Sequence, residues 1–284
     1  MAPRDYRLNR SLALGLILLS AGCGPDPNPA TSPPAAAPAP AAKAAPTADD
    51  LYAAATNGTP ERVQSLLAEA PALAKSADRG GNSALHFAAR AGRKDVVGRL
   101  LDQGADPNLP NHQQRTPLIL AIENQHRETA LLLLERGADT RIETPLIFAA
   151  KMGDKEVVAA LLAKGADVNA PFGEQLGGKT AMHEAASAEI AQLLFDAGAD
   201  VNGYKYSDPP LATAAERGNL ALMKWLLANG ADRGPGLVDM IAQRALKNHR
   251  PEVVDLLARD ETIDPSVRTR LAALKGDRLA PVLK

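Results

Sequence analysis

A few positions in this chain carry side chains whose type and spacing could do chemistry. His183, Glu184 and Ser187 lie close enough in sequence to suggest the base, acid and nucleophile of an acyl-transfer triad. No neighbouring pattern supplies oxyanion donors or a pocket, so the grouping predicts no hydrolase. The five histidines, His86, His112, His126, His183 and His249, are scattered along the chain. No Cys pair, His-x-x-x-His or acidic cluster has metal-ligand spacing, and no Gly-rich phosphate loop follows a strand. Asp106, Asp139, Asp167, Asp200 and Asp232 recur regularly, each closing a Gly-Ala-Asp triplet. Their repetition predicts a turn motif, not an acid–base pair. The chemistry-bearing residues thus predict no enzyme, cofactor, metal site or small-molecule substrate.

One reactive group remains. The single cysteine, Cys23, ends an apolar run, "SLALGLILLS", which follows Arg4, Arg7 and Arg10. The run is too short to span a bilayer, which takes about 20 apolar residues, and the basic start, apolar middle and small-residue end predict a secretory signal. Ser20-Ala21-Gly22-Cys23 resembles the lipobox of bacterial lipoproteins, departing from it at Ser20, where Leu is usual. The resemblance implies that residues 1–22 are removed and that Cys23 is acylated. Gly24 after the cysteine, in place of Asp, resembles the signal for outer-membrane delivery, which implies a chain facing the periplasm. The alternative is ordinary cleavage leaving a free thiol in an oxidising compartment.

Residues 23–48 are Cys23 followed by "GPDPNPATSPPAAAPAPAAKAAPTA", a composition that cannot bury a core. Repeated prolines favour extended, semi-rigid conformations of about 3 Å per residue, which predicts a stalk.

The elements that would position a functional surface begin at residue 49. Gly-Ala-Asp recurs at Gly104, Gly137, Gly165, Gly198 and Gly230, and a matching start lies upstream of each: "SALHFAARAG", "TPLILAIENQ", "TPLIFAAKMG", "TAMHEAASA" and "PPLATAAERG". From start to triplet is 21 residues in four of the five units. Ser or Thr at the start predicts a helix N-cap, and Pro after it, as in Thr116-Pro117 and Thr144-Pro145, suits the first turn. The short Ala-rich helix ends at Gly92, Gly153 or Gly218, and a second helix follows with an apolar stripe such as Val157, Val158, Leu161 and Leu162. Such a pair cannot bury its apolar faces alone, so the units must stack into an all-α solenoid.

These residues resemble the ankyrin repeat, with its period of about 33 and its Thr-Pro-Leu-His-x-Ala-Ala and Gly-Ala-Asp-Val-Asn signatures. The resemblance covers residues 49–264 and implies about seven units of paired helices and β-turn fingers. The first, from Leu51, and the last, from Val238, look like caps, and residues 265–284 add a capping helix or tail. It also implies that His86 and His183 tie adjacent loops together. The middle is irregular: the finger before Thr144 is short, the finger "GADVNAPFGEQLGGK" before Thr180 is long, and the Thr180 unit lacks part of its helices. Gln125 stands where glycine is expected, at a conformational cost if its φ is positive.

In ankyrin proteins partners are gripped by the finger tips and by residues just after the Ala-Ala of the first helix. Those positions hold Arg79, His112, Gln113, Arg115, Glu123, Asn124, Lys151, Met152, Tyr204, Lys205, Tyr206, Glu216 and Arg217, a polar surface of mixed sign. Aromatic residues are only 3% of the chain, yet Phe172, Tyr204 and Tyr206 fall on neighbouring fingers. Flanked by Lys205 and Arg217, they form a candidate interface centre, or else brace their own loops. Trp225 is expected in the core. The net charge of −1 includes no basic stripe, so nucleic acid is not expected, and membrane attachment rests on the lipid. The resulting expectation is a monomeric, lipid-anchored module that binds a protein partner in the bacterial envelope, inhibition or immunity being one form. The alternative is a structural or stress-protective accessory.

Overall fold

The computed structural model describes residues 45–173, 178–203 and 207–279. Seven helix pairs follow one another: α1 (Ala48–Asn57) and α2 (Pro60–Glu69), α3 (Ala84–Arg90) and α4 (Lys94–Asp102), α5 (Pro117–Glu123) and α6 (Arg127–Glu135), α7 (Pro145–Met152) and α8 (Lys155–Ala163), α9 (Ala181–Glu184) and α10 (Ala188–Asp196), α11 (Pro210–Arg217) and α12 (Leu220–Ala228), α13 (Pro235–Lys247) and α14 (Pro251–Arg259). A last helix, α15 (Pro265–Leu279), packs on α13 and α14. The odd-numbered helices of the pairs form an inner row, α1 to α13, each touching the next, and the even-numbered ones an outer row, α2 to α14. Among the described residues there is no strand, only an antiparallel bridge between Phe172 and Lys179.

The core is the seam between the rows. Val96, Val97 and Leu100 of α4, Val157, Val158 and Leu161 of α8, and Leu222, Met223 and Leu226 of α12 are all at most 2% exposed. They meet the Ala pairs of the inner row, Ala88-Ala89 and Ala149-Ala150, which are fully buried. Alanine there lets helix axes approach closely, so each unit's apolar stripe is covered by its own inner helix and by the next unit.

Polar ladders hold unit to unit. Each Gly-Ala-Asp carboxylate accepts the amide two residues on, as Asp106 does from Asn108 (2.8 Å) and Asp167 from Asn169 (2.9 Å). The aspartates are therefore turn formers. The asparagine then bridges fingers: Asn169 donates to the Gly198 carbonyl (3.0 Å) and accepts from the Asp200 amide (2.9 Å). On the opposite edge a side chain at the start of three outer helices, α4, α6 and α12, reaches back to the end of the preceding unit's inner segment. Arg93 donates to the Thr56 carbonyl (3.1 Å), His126 bonds the Arg90 carbonyl (3.0 Å) and Asn219 donates to the Ala186 carbonyl (2.9 Å).

Two local expectations are corrected. Thr116 caps α5, accepting from the Ile119 amide, but Thr144 does not cap α7. The shortened finger drives Glu143 and Thr144 to φ of 57° and 48°, which turns the Thr144 hydroxyl away from the helix and leaves it buried without a partner. Trp225, expected in the core, is half-buried on the outer row. It sits edge-on to Phe195 at 5.6 Å and donates to Gln192 (3.0 Å).

Candidate functional site

The buried histidines have structural duties. His86 Nδ1 accepts the Ser83 amide (3.1 Å), and Nε2 bonds the Arg115 carbonyl of the next finger (3.1 Å). His183 Nδ1 likewise accepts from Thr180 (2.9 Å), while its Nε2 meets the Ser207 hydroxyl (2.9 Å), a tie between fingers made through a side chain. Burial lowers the pKa of both rings. For His183 burial, reinforced by the Lys179 cation, takes it down to about 4. Ser187 caps α10, accepting the Ile190 amide, so it is occupied as a helix cap and not engaged by His183. Among the described residues no group of three His, Cys, Asp or Glu side chains converges on a common point.

What the inner row exposes is a line of apolar side chains. The position before the Ala-Ala pair, or before its Ala121-Ile122 counterpart in α5, is Phe87 in α3, Leu120 in α5 and Phe148 in α7, each half-buried at the same register of successive helices. The Tyr52 ring stacks on Phe87 at 4.9 Å, and Phe172, reaching in from the long finger, meets Phe148 edge-on at 5.5 Å and 80°. Both arrangements are favourable for ring quadrupoles. A guanidinium covers each phenylalanine of the row: Arg90 lies 5.2 Å from the Phe87 centroid and Arg115 4.8 Å from that of Phe148. The line stops at α9, where the same register holds Glu184.

From there the surface is ionic. The Glu184 carboxylate is buried between Arg217, which ion-pairs with it, and Lys179 (3.5 Å). One unit further, Arg244 joins Asp208 and Glu216.

The residues singled out by sequence thus separate into groups. Arg115 is central, stacked on Phe148 and paired with Glu123 at 3.2 Å. Arg79 and His112 are exposed on adjacent finger tips, which the His112 amide links by donating to the Gly80 carbonyl (2.9 Å). Lys151 is exposed one helical turn beyond Phe148. Gln113 and Asn124 are exposed. Met152 turns to the far edge, lining a cleft of about 500 Å³ with Ile122 and His126. Arg217 is committed to Glu184. Phe172 joins the row, whereas Tyr204, Lys205, Tyr206 and Cys23 lie outside the described residues. Sequence reasoning missed Phe87, Leu120, Phe148 and Arg90. Their signal was available, an apolar residue at one register position in three successive units on a side otherwise read as polar.

The family profile described as ankyrin repeats (3 copies) matches residues 51–143 and 140–205, together more than half of the chain. A probable E3 ubiquitin-protein ligase of Oryza sativa subsp. japonica is 42% identical over 85 residues, 30% of this chain and 16% of that protein. The B-cell lymphoma 3 protein homolog of Mus musculus is 32% identical over 191 residues, 65% of this chain and 36% of the relative. The chain thus spans well under two thirds of these relatives. Among solved structures, the human ASB11 ankyrin repeat domain aligns with a TM-score of 0.58 and 26% identity over 65% of this chain and 85% of that one. A chain of the complex between a predatory endopeptidase from Bdellovibrio bacteriovorus and an immunity protein aligns with a TM-score of 0.57 and 25% identity, covering 64% of this chain and 98% of the other.

Proposed function

Because the chain belongs to the ankyrin-repeat family, we propose that it is a non-enzymatic binding module that holds a protein partner on its inner face and is tethered in the bacterial envelope through a lipid on Cys23. The observation that carries the reading is the line Phe87, Leu120 and Phe148 with its stacked arginines. Half-exposed rings with cations over them are the side-chain types that dominate protein interfaces. Solenoids present such a row on a long concave surface, suited to another chain and unsuited to enclosing a small substrate.

The tether and its place, an outer membrane facing the periplasm, rest on the leader pattern ending in Cys23-Gly24. An acylated N-terminus followed by a proline-rich stretch would hold the repeats off the membrane surface. Inhibition of an envelope enzyme is the form of binding favoured, because one structural neighbour belongs to an endopeptidase–immunity protein complex.

Capture from native envelope by the full-length chain tests the binding reading. Wild type should retain a defined partner, and a Phe148→Ala/Phe172→Ala variant should lose it. If both retain the same proteins equally, the inner face is not the interface. Fractionation of Cys23→Ala tests the tether: the variant should leave the membrane fraction or stay unprocessed, and unchanged behaviour would remove the lipid from the account.

A further inference from the structure

We propose that the N-terminal half of the inner face seats an extended acidic protein segment with an apolar residue at every third position, an inference that rests on the binding function above and specifies the partner's chemistry. Charge accounting along the row carries it. Among the described residues Arg79, Arg90 and Lys151 make no ion pair, whereas Glu123 is held by Arg115 (3.2 Å). Asp78 is taken up by its own turn, accepting the Gly80 (2.8 Å) and Asn82 (2.7 Å) amides. Asp78 nevertheless keeps its charge and interacts electrostatically with Arg90, so Asp78 and Glu143 together count as two carboxylates against those three cations, an excess of one. The C-terminal half offers no such excess, because Glu184 is matched by Arg217 and Lys179, and Arg244 by Asp208 and Glu216.

Spacing selects the form of the ligand. Neighbouring packed helices lie roughly 8–10 Å apart, so Phe87, Leu120 and Phe148 offer apolar contacts at about that interval. A polyproline-II segment returns to the same face every third residue, after about 9 Å. Its two intervening residues point away from the row toward the flanks, where Arg79, Arg90 and Lys151 stand exposed. Acidic side chains at those places would gain charge-assisted contacts, and the cations would speed association.

The test uses the purified full chain and three labelled synthetic peptides, repeats of Phe-Glu-Glu, Phe-Lys-Lys and Ser-Glu-Glu, read by fluorescence anisotropy at low and high salt. Phe-Glu-Glu should bind and the other two should bind at least about tenfold more weakly. Arg79→Ala/Arg90→Ala/Lys151→Ala, all exposed positions whose fold circular dichroism can verify, should weaken Phe-Glu-Glu about tenfold and flatten its salt dependence. Equal binding of Phe-Lys-Lys or Ser-Glu-Glu, unchanged affinity of the triple variant, or no binding of any probe overturns the inference. A chain that captures its envelope partner yet ignores Phe-Glu-Glu keeps the function proposed above and loses only the acidic segment. A chain that binds the probe but captures nothing separates the two in the other direction.

Discussion

The guanidinium of Arg115 lies over the ring of Phe148, 4.8 Å from its centroid, although the two belong to successive repeats. The arginine precedes the cap of α5 and the phenylalanine sits midway along α7, so the contact welds one unit's finger to the next unit's inner helix. The same ring meets Phe172 edge-on, and three segments therefore converge on one side chain.

Phe148→Ala should accordingly cost about 2 kcal/mol of stability in urea unfolding, roughly half of what a fully buried Phe loses. Leu161→Ala, at 0% exposure, should cost more, about 2–5 kcal/mol. A double-mutant cycle with Arg115→Ala should return a coupling of about 0.5–1 kcal/mol. A coupling of zero would mean that the stacked geometry contributes nothing in solution.

His183 makes stability depend on pH. Its folded pKa of about 4 lies below the ordinary 6.5, so between those values the unfolded chain binds a proton that the folded chain does not. Stability is therefore complete near neutrality and falls as pH drops from about 6.5 to about 4, by on the order of 3 kcal/mol. The lowered pKa of His86 acts in the same direction. Thermal melts across that range should show the loss in wild type and a visibly shallower one in His183→Gln. Parallel curves would remove His183 as the cause.

How much of this was legible beforehand varies by residue. The fold was: Val157, Leu161 and the Ala-Ala pairs recur with a period that only stacked helix pairs can satisfy. The turn role of the aspartates was legible too, since a side chain that accepts its own backbone amide two residues on is a local property. The proposed binding face was only half legible. Arg115 and Phe172 were marked by finger position, but the row through Phe87 and Phe148 required knowing which side of a short, mostly buried helix stays open. Thr144 misled because its capping chemistry is local, while the length of the finger before it decides φ. Trp225 misled because size suggests burial, whereas its indole nitrogen finds Gln192 at the surface.

Gly92 separates conformational from steric demand. Its φ is +68°, and a Cβ there would come within 2.5 Å of the His126 ring. Gly104, at φ +82°, has nothing within 4 Å. Gly104→Ala should cost about 1 kcal/mol from the left-handed backbone alone. Gly92→Ala should cost roughly 1–3 kcal/mol more, because the ring must move and its bond to the Arg90 carbonyl is strained or lost. Adding His126→Ala should recover part of that difference in urea unfolding. No recovery would place the cost in the backbone.

Gln125 gives the opposite sign. It occupies the position of Gly92 one unit later and adopts φ 60° with a full side chain. That side chain is exposed, so removing it sacrifices no packing, while the backbone amide keeps its bond to the Ile122 carbonyl (3.0 Å). Relief of left-handed strain, about 1–2 kcal/mol, is offset by the extra freedom glycine brings to the unfolded chain. Gln125→Gly should therefore stabilise the protein by about 0.5–1 kcal/mol, seen as a higher urea midpoint at unchanged slope. A lower midpoint would mean that the glutamine side chain makes a contribution larger than the strain it imposes, and would also remove the repeat-to-repeat equivalence on which the comparison with Gly92 depends.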